Sequence, residues 1–421
     1  MLDIKFIREN IELVKKGSLD KKFNVDIDRL LQMDAEIRPI KAQQEKLQAE
    51  RNSLSRDIPL AAETQREQLK LRVGAIKSEL EDLTKKVKEG EEAVREMLLH
   101  IPQPARADVP IGRDDSENVE LRKVGTPPKF DFKPLDHIEL SHKLGLVDFE
   151  RGTKIAGARS YVLTGDGAIL EQAVLRFTYD FLVSRGYRPM SVPVLVTERC
   201  MEGTGYFPLG RDQAYQIEKD QLALVGTAEV PLCSFFSDET LDYLDLPQRV
   251  MALSGAFRRE AGSYGKDTKG LYRVHQFQKI EQVIIAPADI ALDEKLHLEL
   301  LKNAEDILTA FELPYRVVYV CTGDLGQGQV RKHDIETWMP GRANYGETHS
   351  CSSFYDFQAR RLSIRYKDRE GKKLIAYTLN NTAIASPRIL IPLLENHQTA
   401  DGRIKIPKAL RPYLQNREFI G

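Results

Sequence analysis

Two apolar series of matching length constrain this chain more than any other feature. The first runs Leu30, Met33, Ile37, Ile40, Leu47, Leu54 and Ile58, and the second Leu69, Val73, Ile76, Leu80, Leu83, Val87 and Val94. Both advance mainly by threes and fours, the repeat that lines side chains along one stripe of a helix. Gln44 and Arg51 occupy seam positions of the first series, and Gly90 one of the second. Between the two lies DIPLAAET, where Pro59 breaks the first helix and Glu63 or Thr64 opens the next. The pattern predicts an antiparallel helical hairpin over residues 27–98, joined seam to seam as a coiled coil. About 30 residues at 1.5 Å each give an arm of roughly 45 Å. Its other positions are almost wholly polar, so it is expected to project into water.

Charge along this arm is uneven. The outer half carries Lys41, Lys46, Arg51, Arg56, Arg66, Lys70, Arg72 and Lys77; the inner half is weighted to Glu79, Glu81, Asp82, Glu89, Glu91, Glu92 and Glu96. Two readings stand: solubilising charges on a coiled coil, or an outer half that touches a phosphate backbone. Ahead of the arm, residues 1–22 read as a short helix with Ile4, Ile7, Ile11 and Val14 inward and Lys5, Arg8, Lys15 and Lys16 outward. Over the whole chain 62 basic residues balance 63 acidic ones, for a net charge of −1. No global basic field exists, so any RNA contact must be local. Cys200, Cys233, Cys321 and Cys351 are scattered without a C-x-x-C pair, which fits a reducing compartment and offers no thiolate zinc site. The opening MLDIKFIREN has no apolar core of a signal peptide, and a cytoplasmic protein is the expectation.

Residues 101–134 are dense in Pro, Gly and Asp and read as a linker, so residues 1–100 and 135–421 form the two expected domains. In the second, Ala168 to Ser184 is an amphipathic helix that stops at Gly186, and MSVPVLV follows as a strand. Pro193 inside that strand implies an edge or a subunit boundary, because it cannot donate to a neighbour. Next, LALVGTAEVPL reads as a strand ending at Gly226, followed by Thr227-Ala228-Glu229. This hydroxyl and carboxylate could receive a small ligand's ammonium and hydroxyl groups, or Thr227 could simply cap a helix.

The stretch Phe257 to Gln282 reads FRREAGSYGKDTKGLYRVHQFQKIEQ: a strand, a long Gly-rich loop and a returning strand. Strand side chains repeat every two residues, so Arg258, Glu260, Arg273 and Phe277 can share one face. That face offers guanidiniums for phosphate, a carboxylate for an amino or ring nitrogen, and an aromatic plane for a base. Further on, Tyr315–Val320 and Asp334–Trp338 read as strands. Glu347-Thr348-His349-Ser350 then supplies Glu347 and Ser350 as oxygen ligands for a hard cation. His349 is tempting as a base or ligand, but no second ligand stands at zinc spacing, which favours a structural role. Finally, Tyr377 to Ser386 is a strand of small and polar residues leading into Pro387-Arg388 and an apolar helix, with Arg388 placed to meet phosphate.

These segments resemble the class II aminoacyl-tRNA synthetases. Helix–Gly186–strand–Pro193 is similar to their motif 1, Phe-Arg-x-Glu with Arg-x-x-x-Phe to motif 2, and the strand ending at Arg388 to motif 3. Motif 3 departs from the family where Ala383 and Ala385 replace frequent glycines and Pro387 a frequent acid. With the arm, T-A-E, ETHSCS and LNNTAIASPRILIPLLENHQ, the chain resembles the bacterial type of seryl-tRNA synthetase, essentially end to end. The resemblance implies an α+β fold: a helical arm, then a catalytic domain on a mostly antiparallel sheet flanked by helices. It implies ATP-dependent activation of L-serine to seryl-adenylate, then transfer to the 3′ end of serine tRNA, and of selenocysteine tRNA where present.

Carried over by position, serine would be bound by Thr227, Ala228, Glu229, Arg258, Glu281, Asn380 and Thr382. ATP would meet Arg258, Arg259, Glu260, Arg273, Val274, Phe277, Glu347, Thr348, His349, Ser350 and Arg388. Glu347 and Ser350 would hold Mg²⁺, with no zinc expected. Arg51, Arg56, Arg66, Lys70 and Arg72 would meet the tRNA variable arm, and Pro193 would lie at a homodimer interface. Competing expectations are an amino acid–carrier protein ligase, which would lack the arm and use zinc, and a non-catalytic paralogue, which would be expected to lose Arg258, Arg273 or Arg388.

Overall fold

The computed structural model describes residues 1–262 and 269–421. It divides into two compact units, one of residues 2–102 and one of residue 1 with 103–421. In the smaller unit the expected short helix is two, α1 (Ile4–Glu9) and α2 (Ile11–Asp20). The arm follows as α3 (Ile27–Asp57) and α4 (Glu63–Leu98), of 31 and 36 residues. Asp26 caps α3 through the Arg29 amide. The helix runs on through Pro39 and ends before Pro59, which stands in a single 3₁₀ turn. Leu47, Ile76 and Leu80 form the buried seam with Leu54 and Leu83 around them. Gln44 Nε2 donates to Thr84 Oγ1 at 2.9 Å, so the polar seam position is satisfied across the hairpin. A Cβ on Gly90 would stand 2.7 Å from Ile37 Cγ1, so a larger residue there must displace the Ile37 side chain.

The larger unit is built on an eight-stranded sheet. Its strands are β1 (Val119–Val124), β2 (Arg188–Met190), β3 (Gln248–Phe257), β4 (Gln276–Ala286), β5 (Tyr315–Tyr319), β6 (Arg331–Met339), β7 (Asn344–Tyr355) and β8 (Tyr377–Ser386). They lie in the order β1-β5-β6-β7-β8-β4-β3-β2. Every neighbouring pair is antiparallel except β2 with β3, which is parallel. Helices α5 (Asp166–Ser184) and α7 (Ile290–Ala310) cover one face, where Leu170, Val174, Leu300, Ile307, Ile280, Ile284 and Leu379 share a core. The short α6 (Glu229–Ser234) and α8 (Phe357–Leu362) cover part of the other, around Leu232, Val283, Ile285 and Leu362. The rest of that second face is open, and the polar residues gather there. The apolar helix after Arg388 is α9 (Leu390–Asn396).

Two expectations change. The stretch 101–134 is not a free linker, because β1 pairs with β5 as the sheet's edge strand and the larger unit begins at Gln103. Pro193 does not stand inside a strand: pairing stops after Met190 and resumes only at Leu195, where a separate small sheet begins. Proline without an N–H cannot extend the ladder. Among the described residues no helix is long and apolar enough to cross a membrane.

Candidate active site

Alternation along three central strands builds the open face. On β4, Phe277, Lys279 and Glu281 point one way, while Ile280 and Ile284 enter the core behind. On β8, Asn380 and Thr382 share that direction. On β7, Thr348, Ser350, Ser352 and Phe354 do the same. A bulge at Thr348 breaks the β6–β7 register, where Ile335 pairs with His349 but Glu336 with Glu347. The extra residue turns Glu347 onto the open face beside its neighbour. Together these side chains line a cavity of about 230 Å³, and a second of about 690 Å³ adjoins it through Tyr206, Glu229, Arg258, Glu260, Gln329 and Phe354.

The motif 2 residues do meet, although not as parts of regular strands. β3 ends at Phe257 and β4 begins at Gln276 opposite it, so Arg258, Glu260, Arg273 and Val274 lie on the connecting backbone. The Arg258 amide still donates to the His275 carbonyl at 2.9 Å, which continues the pairing by one rung. The Arg258 side chain lies over the Phe277 ring, 5.3 Å from its centroid, and its Nε donates to the Gly226 carbonyl. Arg273 reaches Glu260 at 3.3 Å. Glu260 has φ 52°, a left-handed conformation uncommon for a residue with a side chain. Most of the loop expected between the strands, residues 263–268, lies outside the described residues.

At the cavity floor Lys279 Nζ stands 2.5 Å from Glu281 Oε2 and donates to Thr227 Oγ1 at 2.9 Å. Thr227 and Glu281 are each 1% exposed. Glu229 is also buried, and its Oε1 accepts from Gln358 Nε2 at 2.7 Å. Burial first, then the charge of Glu281, pushes the Glu229 carboxyl up to about 7. Burial also pulls the Lys279 ammonium down, against the pull of Glu281. This is a cation on two acceptors in a closed acid pocket, the environment an amino acid's ammonium and hydroxyl would need.

At the other end, Arg388 Nη1 donates to the Glu347 carbonyl at 3.1 Å and approaches its carboxylate at 3.4 Å. The guanidinium stacks on Tyr272, 4.4 Å from the ring centroid. Burial raises the Glu347 carboxyl, but Arg388 and Lys332 outweigh it and hold the group below its ordinary range. Its side chain is 43% exposed to the cleft. An ionised, accessible carboxylate beside the Ser350 hydroxyl fits a hard cation that takes its remaining ligands from phosphate and water. Among the described residues no group of three or more His, Cys, Asp or Glu side chains could hold a metal alone.

Four expected contacts do not face the cleft, the first being Thr227, which is buried with its hydroxyl on Lys279. Arg259 is exposed and points away between Arg258 and Glu260. Ala228 is packed in the core beneath α6. His349 is buried on the opposite face of β7, with Nδ1 on Thr348 Oγ1 at 2.9 Å, and burial pulls its pKa down to about 4. On the arm, Arg56, Arg66, Lys70 and Arg72 are exposed and Arg51 is half-buried. Arg66 is also tied to the carbonyls of Ala61 and Pro59 at the turn, and Arg72 to Glu50. Sequence reasoning missed Lys279, Lys332, Gln329 and Phe354, all of which line the cleft. Lys279 was findable: it stands midway between Phe277 and Glu281 on one strand, so the period of two puts it on their face.

Comparison with known proteins agrees with this geometry. Residues 214–397 match the family described as tRNA synthetase class II core domain (G, H, P, S and T), and residues 1–104 the seryl-tRNA synthetase N-terminal domain. The chain is 48% identical over 421 residues to a serine–tRNA ligase of Deinococcus radiodurans, covering 100% of this chain and 99% of that one. It is similar to the crystal structure of seryl-tRNA synthetase from Pyrococcus horikoshii complexed with ATP, with TM-score 0.86, 36% identity, and coverage of 100% and 99% of the two chains. It is also similar to the cytoplasmic serine–tRNA ligase of Naegleria fowleri in complex with AMP, with TM-score 0.87, 30% identity, and coverage of 100% and 98%. The chain therefore belongs to the seryl-tRNA synthetase family of class II aminoacyl-tRNA synthetases.

Proposed function

We propose that this chain activates L-serine with ATP and passes the seryl group to the 3′ end of serine tRNA, and of selenocysteine tRNA where present. The observation that carries the reading is the buried pair Glu229 and Glu281 lining one cavity with Arg258 and Phe277, with Thr227 behind them on Lys279. An amino acid held by its ammonium in that pocket presents its carboxylate to Arg258. Adenine stacks on Phe277 and is read by Glu260 and the Val274 backbone, so the α-phosphate falls between Arg258 and the serine. Arg273 and Arg388 take the outer phosphates. A serine carboxylate oxygen attacks the α-phosphorus, the bond to the bridging oxygen breaks, and pyrophosphate leaves. A terminal ribose hydroxyl then takes the seryl group and AMP departs.

Adenylate formation has little need of a protein base, and in the transfer step the proton of the ribose hydroxyl leaves on the phosphate of the departing AMP. The arginines bring two anions together and stabilise the charge that spreads between them, by fixed position rather than by movement. Glu347 and Ser350 would hold Mg²⁺, which when bound adds positive charge against the phosphates. Specificity follows from the pocket's chemistry. Asn380 and Thr382 close on the serine hydroxyl with Glu281. Alanine would leave these buried groups unpaired, and a site of this kind rejects such an analogue by roughly 10⁴ or more.

The two expected domains are assigned as a tRNA-binding arm and a catalytic unit. Arg51, Arg56, Arg66, Lys70 and Arg72 meet the variable arm of the tRNA. The four cysteines, all free, support a cytoplasmic location. A homodimer forms across the region of Pro193, where Leu195 and Leu253 are exposed. The test is charging of serine tRNA with and without its variable arm. Efficient charging that is lost without that arm supports the reading. Charging of neither RNA overturns it.

A further inference from the structure

Gln358 stands on α8, outside the cleft, and is 1% exposed. Its amide is fully engaged. Nε2 donates to Glu229 Oε1 at 2.7 Å and to the Thr204 carbonyl at 3.1 Å. Oε1 accepts from Thr378 Oγ1 at 2.6 Å and from the Cys233 thiol at 3.7 Å. A flipped amide would point its oxygen at two groups that only accept, the Thr204 carbonyl and the Glu229 carboxylate. The donor is therefore fixed on Glu229, and Thr378 holds it there from β8. Besides Gln358 on Oε1, Asn380 from β8 donates to the same carboxylate, so Glu229 has two neutral donors.

We infer that Gln358, oriented by Thr378, is a positioning residue for serine capture, acting through Glu229. The inference deepens the proposed function and rests on it. Glu229 faces Glu281 and Lys279 from β4, Asn380 from β8, Cys233 from its own helix, and Tyr206. Buried as it is, a carboxylate stripped of one of its two neutral donors moves toward its protonated form. The protonated form no longer holds an ammonium as an ion pair. Gln358 thus favours the ionised form of Glu229 and aims it without touching substrate.

The test is Gln358→Met, which keeps the volume and removes the amide, read by serine-dependent ATP–pyrophosphate exchange in the full-length chain. A hydrogen bond to a charged group sets the expected effect at roughly a tenfold to hundredfold rise in serine KM near neutral pH, with ATP KM and kcat within about twofold. The acid limb of kcat/KM for serine should move to higher pH. In a Glu229→Gln background the same substitution should add nothing, whereas a merely structural role would add its full effect there. Thr378→Val should act in the same direction but less, and it carries the test alone if Gln358→Met does not fold. An unchanged serine KM, or equal losses for serine and ATP, overturns the inference while leaving the function standing. A wild-type chain without serine-dependent exchange overturns both.

Discussion

Acidification should reduce serine capture through one carboxylate. Glu229 is pushed up to about 7 from its ordinary 4.5, chiefly by burial and then by Glu281. A shift of that size corresponds to about 3 kcal/mol against the charged form. The sign follows directly. The protonated form is favoured in the fold, so the stabilisation it gives is complete below the unfolded carboxylate range and is lost as pH rises through about 7. Holding serine's ammonium requires the other form. In the free enzyme kcat/KM for serine should therefore be flat above about pH 8 and fall toward tenfold per unit below about pH 7. About one molecule in ten keeps an ionised Glu229 at pH 6. The assay is pyrophosphate exchange at saturating ATP across about pH 5.5 to 8.5. A serine kcat/KM that stays constant across that range would refute the assignment of Glu229 as the ammonium partner. Glu229→Gln should give a low activity without this limb.

Other substitutions separate the parts of the molecule. Glu281→Ala should abolish serine activation while ATP binding, followed by titration calorimetry, persists; unchanged activation would remove Glu281 from the serine site. Gly90→Val should lower the melting temperature, because its Cβ would stand 2.7 Å from Ile37 Cγ1, and overpacking of this kind costs about 1–3 kcal/mol. Reversing the charges of Arg56, Lys70 and Arg72 should raise the KM for tRNA and flatten its salt dependence, yet leave exchange untouched. Loss of exchange in that variant would mean that the arm is needed for folding rather than for RNA.

What the sequence disclosed depended on how strongly side chains were patterned. The arm was legible because burial along one stripe needs Leu47, Ile76 and Leu80 at fixed intervals. The edge strand Val119–Val124 was not: its apolar alternation ends after Val119-Glu120-Leu121-Arg122, its side chains are almost all exposed, and it is held by the ladder to β5. In the cleft, Arg258 and Phe277 could be placed because unusual residue types sat on two facing strands and Arg388 because it stood at a strand-to-helix junction, whereas Glu281 came only with the family resemblance. The positions carried over with the resemblance could not show the bulge at Thr348, which turns both Glu347 and Thr348 to the cleft and leaves His349 behind the strand, in the structural role its own spacing favoured. Gln358 was invisible for a different reason. Its role comes from contacts with residues 129 and 154 positions earlier and 20 later, which no local pattern encodes.

The most direct measurement is ATP–pyrophosphate exchange without tRNA, run with serine and, in parallel, threonine, alanine and glycine. The account predicts exchange with serine, and alanine weaker by roughly 10⁴ because it leaves the hydroxyl partners unpaired. Exchange driven by glycine or alanine but not by serine would contradict it.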